Sequence, residues 1–332
     1  MRFGPVPVEE AVGAIFAHSV RAGETRLRKG QRVGAAEQAA LRAAGVETII
    51  AAALEAGDVP EDEAAERLAR AIAGAGLRRD PPFTGRVNLF AERAGLLIVD
   101  RMRVDAINRI DDAITLATLP EYRAVVEGDM AATVKIIPFA APSAALTAAC
   151  EAGQGAVRVA PYRPLRVGVV STLLPGLKPS VILKTLGVLE ARLAPACAPL
   201  VEERRTPHAP KPLAEALAQM QARCDLLIVF GASAITDRRD VIPAAIEAVG
   251  GCVRHFGMPV DPGNLLLIGD LNGTLLIGAP GCARSPKENG FDWVLGRLLA
   301  DVPISRADIQ GMGVGGLLME IETRPQPRQS DG

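Results

Sequence analysis

The sequence predicts an α/β protein whose C-terminal half is a three-layer sandwich around a mainly parallel sheet, preceded by a smaller mixed α/β region. Three observations lead there. The strand-like segments of the second half, "RVGVV" from Arg166 and "DLLIVF" from Asp225, are unbroken apolar runs, the pattern of strands covered on both faces. They alternate with helical stretches, as parallel sheets with crossover helices require. Hydrophobic residues make up 49% of the chain and aromatics only 3%, so small aliphatic side chains must fill the interior.

At 332 residues the chain is too long for one ordinary core. The reading divides it into an α/β unit over 1–78, a mixed α+β region over 79–160, the sheet domain over 165–303, and a C-terminal strand with a polar tail over 304–332. In the first part, "LRKGQRVGAAEQAALRAAGVETII" predicts a turn at Lys29-Gly30, a helix from about Ala35 to Ala44, a stop at Gly45 and a strand from Val46 to Ile50. The stretch "EDEAAERLARAIAGAG" is helical by its apolar spacing at Ala65, Leu68, Ala69 and Ile72. Short strands follow around a helix near Asp105 to Ile114, and Pro161 and Pro164 in "GAVRVAPYRPLRV" suit a linker.

From Arg166 the pattern becomes regular. A helix with Ile182, Leu186, Leu189 and Leu193 on one face follows the first strand. After "DLLIVF" comes a helix carrying Ile242, Ile246 and Val249. "NLLLIG" and "TLLIG" flank Asn272-Gly273, a hairpin signal that adds antiparallel character on one side. A last long helix carries Phe291, Val294, Leu295 and Leu298, and the tail "TRPQPRQSDG" has the composition of a disordered segment.

Composition also removes several functions. A net charge of −1 and a pI near 6.4 leave no excess of cations for a nucleic-acid backbone. Five scattered cysteines without a C-x-x-C pair, and only three histidines, argue against a zinc or cluster site. The odd cysteine count, with Glu9 and Glu10 where a secretory segment would be apolar, points to a cytoplasmic protein. No run reaches membrane-spanning length.

Chemistry is expected where parallel strands end, because loops diverge there and helix N-termini point inward. The loop in "LLIVFGASAITDRRDVIPAA" has this placement. Gly231, Ala232 and Ser233 are small enough for a ligand to approach the main chain, Pro243 starts a helix whose amides suit an anion, and Asp237 and Asp240 bracket two arginines. The second loop is "IGAPGCARSPKENGFDW". Pro280 and Gly281 turn the chain, Cys282 follows, and Ser285-Pro286-Lys287-Glu288 reads as a capping box with Ser285 as N-cap. Cys282 has neither a nearby His nor a neighbouring Cys, so a packing role suits it better than nucleophilic attack. Ser171 and Thr172 follow the first strand and put two hydroxyls where a ligand would meet them, and Gly263 sits in a Pro-Gly turn before the hairpin. "GMGVGG" at Gly311–Gly316 follows the last long helix instead of joining a first strand to a helix, so it is no dinucleotide fingerprint.

Together these motifs resemble the molybdopterin-binding domain family of molybdenum-cofactor biosynthesis, of the MoaB/Mog and MoeA type. The match runs through Gly231-Ala232-Ser233 to Arg238-Arg239-Asp240-Val241, with Pro280-Gly281 and Ser285 similar to the family's "PGNP" loop and Pro262-Gly263-Asn264 to its "PGKP" turn. It covers about residues 166–300, and "KGQRV…ALRAAGV" resembles a piece of the MoeA N-terminal region. The chain departs from the pattern at Ala232, which replaces a glycine, and at Thr172-Leu173-Leu174-Pro175, which replaces "TGDEL".

The resemblance implies a pterin ligand, molybdopterin, with its phosphate at the helix N-termini. It also implies Mg²⁺ and ATP, with Asp240 as metal ligand and Asp237 beside it in catalysis, and often a homo-oligomer. The leading reading is an adenylyltransferase or molybdenumtransferase. One alternative is a non-catalytic carrier delivering the cofactor to a cytidylyltransferase or a molybdenum enzyme. A second is a dinucleotide-binding oxidoreductase.

Overall fold

The computed structural model describes residues 1–318, so the predicted tail from Thr323 lies outside the described residues. The chain forms two compact units, Met1–Ala160 and Pro161–Gly332.

In the first unit, strand Thr48–Ala53 lies between Arg2–Pro7 and Ile15–Phe16 in an antiparallel sheet. Helix Ala35–Ala43 begins where the Glu37 carboxylate accepts the Gly34 N–H at 2.9 Å. It ends before Gly45, whose φ of 72° is the left-handed value that favours glycine after a helix. Phe16, Leu41, Ile49 and their neighbours make a small core of their own.

A second core spans residues 59–159. Helix Glu61–Ile72 buries Ala65, Leu68, Ala69 and Ile72, as its spacing predicts, against the antiparallel sheet of Leu77–Arg79, Arg86–Ala91, Ile114–Thr118 and Met130–Ile136. The helix expected near Asp105 to Ile114 starts earlier, at Arg101–Asn108. The Asp100 carboxylate accepts the Arg103 N–H and fixes that start, and Ile114 opens a strand instead. The expected linker likewise begins later, because Val157–Pro161 is a strand beside Gly95–Val99.

The second unit is built on a six-stranded, mostly parallel sheet. Its strands are β1 (Val167–Leu173), β2 (Leu200–Pro207), β3 (Leu226–Phe230), β4 (Cys252–Phe256), β5 (Leu267–Leu271) and β6 (Thr274–Ala279), in the order β2-β1-β3-β6-β5-β4. β2, β1, β3 and β6 run parallel; β5 is antiparallel to both β6 and β4. The helices are α1 (Pro179–Leu193), α2 (Pro210–Met220), α3 (Val241–Ala248), α4 (Gly290–Leu299) and α5 (Arg306–Gln310).

Side chains of the central strands divide by the two-residue period of a strand. Val167, Val169, Ile228 and Phe230 join Leu189 of α1 and Phe291 and Val294 of α4 in one cluster. Val170, Leu227 and Val229 join Leu217 of α2 and Ile242 and Ile246 of α3 in another. That double burial is why these strands read as unbroken apolar runs. Asn272 and Gly273, both at positive φ, turn the predicted hairpin between β5 and β6. Ser305 caps α5 by accepting the Asp308 N–H at 3.1 Å. The "GMGVGG" segment follows as a structural strap, its Gly316 carbonyl accepting the Asp261 N–H at 2.8 Å.

Gly95 supplies a test of the first unit. A Cβ there would collide with the Ala160 carbonyl, which is main chain and cannot swing away. Gly95→Ala is therefore expected to destabilise the protein by about 1–3 kcal/mol, the cost of overpacking. Equilibrium urea denaturation checks this, and an unchanged midpoint would show that the strand can shift.

Candidate functional site

The carboxyl ends of β1, β3 and β6 lie side by side, with Ser171 in register with Phe230 and Phe230 with Ala279. This register brings Ser171, Thr172, Gly231, Ala232, Pro280 and Gly281 to one sheet edge. Two hydrogen-bonded ties join the loops there. Thr172 Oγ1 accepts the Ala232 N–H at 2.8 Å and also shares a 2.8 Å hydrogen bond with His208 Nδ1. From the turn after β6, Arg284 donates to the Gly231 carbonyl at 2.9 Å and to Thr185 Oγ1 of α1 at 3.0 Å.

The Arg284 guanidinium lies 5.2 Å over the Phe230 ring, within cation–π range. Burial pushes its pKa below the usual arginine value, but an arginine remains charged near neutrality. Among the described residues no carboxylate pairs with it. Beside Phe230, Ser171 is 2% exposed and its hydroxyl has no hydrogen-bond partner. The edge therefore holds a half-buried positive charge and an unsatisfied buried hydroxyl next to a loop of small residues. Gly231 cannot be larger, since a Cβ would lie 2.6 Å from the Ser233 carbonyl oxygen. Ser233 is exposed at the loop surface.

The helix N-termini expected to receive a phosphate are closed by the protein itself. Asp240 is the N-cap of α3; one carboxylate oxygen accepts the Val241 N–H at 2.7 Å and the other the Thr236 N–H at 3.2 Å. At α4 the N-cap is Asn289 and not Ser285. Asn289 Oδ1 accepts the Phe291 N–H at 3.1 Å, Asp292 accepts the Asn289 N–H at 2.8 Å, and the Pro262 carbonyl accepts the Gly290 N–H at 2.8 Å. Asn289 displaces Ser285 because it is 1% exposed and its amide also donates to the Lys287 carbonyl at 3.0 Å. An amide serves both needs where a hydroxyl on the extended stretch before it does not. Ser285 Oγ instead accepts the Lys287 N–H at 3.3 Å.

The remaining predicted residues are dispersed. Cys282 lies half-buried in the short 3₁₀ turn Gly281–Arg284, its carbonyl accepting the Ser285 N–H. Gly263, at φ 143°, passes so close to the start of α4 that a Cβ would be 2.8 Å from Gly290 Cα. Asp237 points to solvent in an ion pair with Arg239 at 2.8 Å, which holds its carboxyl below the usual range. Among the described residues no group of three or more His, Cys, Asp or Glu is arranged to hold a metal ion.

Residues the sequence reading passes over prove central. Arg192 of α1 contacts Asp292 at 2.5 Å and donates to the carbonyls of Ala283 and Ser285 at 2.8 and 2.7 Å. Its only sequence signal is a cation near the end of a helix that also carries Lys184 and Glu190. Thr185 gives none. Arg192 is 10% exposed in its side chain, and removing one partner of a buried pair strands the other's charge. Arg192→Met is expected to cost about 3 kcal/mol and to raise amide hydrogen exchange across residues 281–287. Unchanged exchange there would show that the turn holds itself.

A family model described as a domain of unknown function (DUF8806) matches residues 5–53, the stretch that builds the small first core. No curated protein matches. Among solved structures, the chain is similar to the molybdopterin biosynthesis MoeA protein from Pyrococcus horikosii, with 15% identity over 91% of this chain and 75% of that one and a TM-score of 0.32. It is also similar to the molybdopterin biosynthesis enzyme MoaB from Thermus thermophilus, with 16% identity over 42% of this chain and 98% of that one and a TM-score of 0.30. A MogA structure is 19% identical over 42% of this chain and 100% of its own, with a TM-score of 0.29. All three combine low identity with a low score.

Proposed function

We propose that the second unit is a molybdopterin-binding domain of three-layer, MoaB/Mog-like build that acts in cytoplasmic molybdenum-cofactor biosynthesis by holding a phosphorylated pterin at the carboxyl edge of its sheet. The observation that carries this reading is Arg284, a half-buried cation between the two loops of the motif that has no carboxylate partner among the described residues. A phosphate is the natural counterion for such a guanidinium. In this reading Ser171 adds a hydroxyl to that contact, and the short side chains from Gly231 to Ser233 let the pterin's polar edge reach main-chain groups.

The geometry favours binding over metal-dependent transfer. Both oxygens of Asp240 already accept main-chain N–H groups, and Asp237 is paired with Arg239. These two residues do not fit a Mg²⁺ centre as they stand, and no step with Mg²⁺ and ATP is assigned to them. The carrier reading, with delivery to a cytidylyltransferase or a molybdenum enzyme and the unit assembled as a homo-oligomer, follows most directly. An enzymatic reading has its support in the Thr172–His208 pair, since an imidazole in contact with a hydroxyl is equipped to move a proton.

Three variants test the proposal. Arg284→Gln removes the charge and keeps a hydrogen-bonding side chain, so pterin phosphate affinity, followed by fluorescence titration, should fall about tenfold or more. Equal affinity in the variant would contradict the site. Asp240→Asn keeps an N-cap, so fold and pterin affinity should both persist, whereas Asp240→Ala should cost about 1 kcal/mol of stability. Weakened pterin binding in Asp240→Asn would place the carboxylate in the site after all.

A further inference from the structure

A cavity of about 320 Å³ opens at the end of the edge strand β4. Its wall carries Arg238, His255, Arg306 and Gln310, together with the turn Gly257–Pro259, and among the described residues no Asp or Glu lines it. The two arginines arrive from distant parts of the chain, Arg238 from the loop after β3 and Arg306 from the first turn of α5. Other arginines nearby are paired with carboxylates: Arg239 with Asp237, Arg254 with Asp270, and Arg163 with Asp301. Among the described residues Arg238 and Arg306 have no such partner.

His255 completes the wall. It is 8% exposed, and its Nε2 is buried without a hydrogen-bond partner. Burial, and after it the charges of Arg306 and Arg238, hold the imidazole below its usual pKa, against a hydrogen bond with the Gly257 main chain that works the other way. Among the described residues, two cations without a carboxylate partner and the ring that carries the unsatisfied nitrogen thus line one concave surface. An anion with several oxygens would supply the two arginines with a counter-charge, and a protonated oxygen of it would donate to Nε2, the ring's acceptor while the other nitrogen bonds the Gly257 main chain.

We propose that this cavity is an anion site for the phosphoryl group of a small phosphorylated molecule, held by Arg238 and Arg306 with the His255 ring as third contact. The inference is independent of the pterin reading, because none of these side chains belongs to the tie between Thr172, Gly231 and Arg284. The volume lies at the lower end of the range for ligand pockets, which suits free phosphate or a mononucleotide.

The test titrates the full-length protein with inorganic phosphate and, separately, with AMP at constant ionic strength, following the His255 ring resonances by NMR. A saturable shift is expected with at least one of them, and the tighter ligand names the source of the phosphoryl group. Arg238→Gln and Arg306→Gln, both at exposed positions, should each weaken binding about tenfold. Arg239→Gln should not, since its charge is already spent on Asp237. No saturable shift with either ligand, or equal weakening in all three variants, would overturn the proposal.

Discussion

The site depends on a guanidinium set over the end of an apolar strand. Placing Arg284 above Phe230 removes part of its hydration, a cost of several kcal/mol for a fully buried ion. The cation–π contact and the hydrogen bonds to Gly231 and Thr185 recover part of that, each worth about 0.5–3 kcal/mol. None of these neutral partners cancels the charge. The same side chain that joins the loops after β3 and β6 to α1 therefore leaves a positive potential at the place where they meet. Arg192 works one layer back, fixing the turn from which Arg284 projects.

Helix dipoles play a smaller part here than a sheet-edge site ordinarily gives them. Asp240 and the Asn289–Asp292 pair satisfy the first amides of α3 and α4, and a carboxylate at a helix N-terminus neutralises the partial charge that would draw an external anion. Charge for a ligand must come from side chains instead. That requirement separates Arg284 and Arg238 from the neighbouring arginines, whose charge is already matched by carboxylates.

The central fold is legible in the sequence because burial on both faces leaves its mark on every residue of a strand. "RVGVV", "DLLIVF" and the hairpin around Asn272-Gly273 are all found where the pattern puts them. What escapes detection is the rim. β2 and β4 are the two edge strands, and β2 reads "LVEERRTP" because much of it faces solvent; with β2 goes the helix α2 that follows it. In the site, small residues announce the loops, and positions 231 and 232 indeed meet Thr172 and Arg284. The closure of α4 does not show, because a cap is decided by which polar side chain is buried. Asn289 and Ser285 are equally good caps on paper, and only packing selects between them. Long-range ties such as Thr172 to His208 or Arg192 to Asp292 have no local spacing to reveal them.

The central claim is that Arg284 and the loops it joins hold a phosphorylated pterin. Its most direct test is a crystal structure of the protein grown with such a ligand. The account predicts density for the pterin along Gly231–Ser233, with its phosphate on Arg284. Density that leaves Arg284 bound only to Gly231 and Thr185, with the ligand elsewhere or absent at saturating concentration, would contradict it.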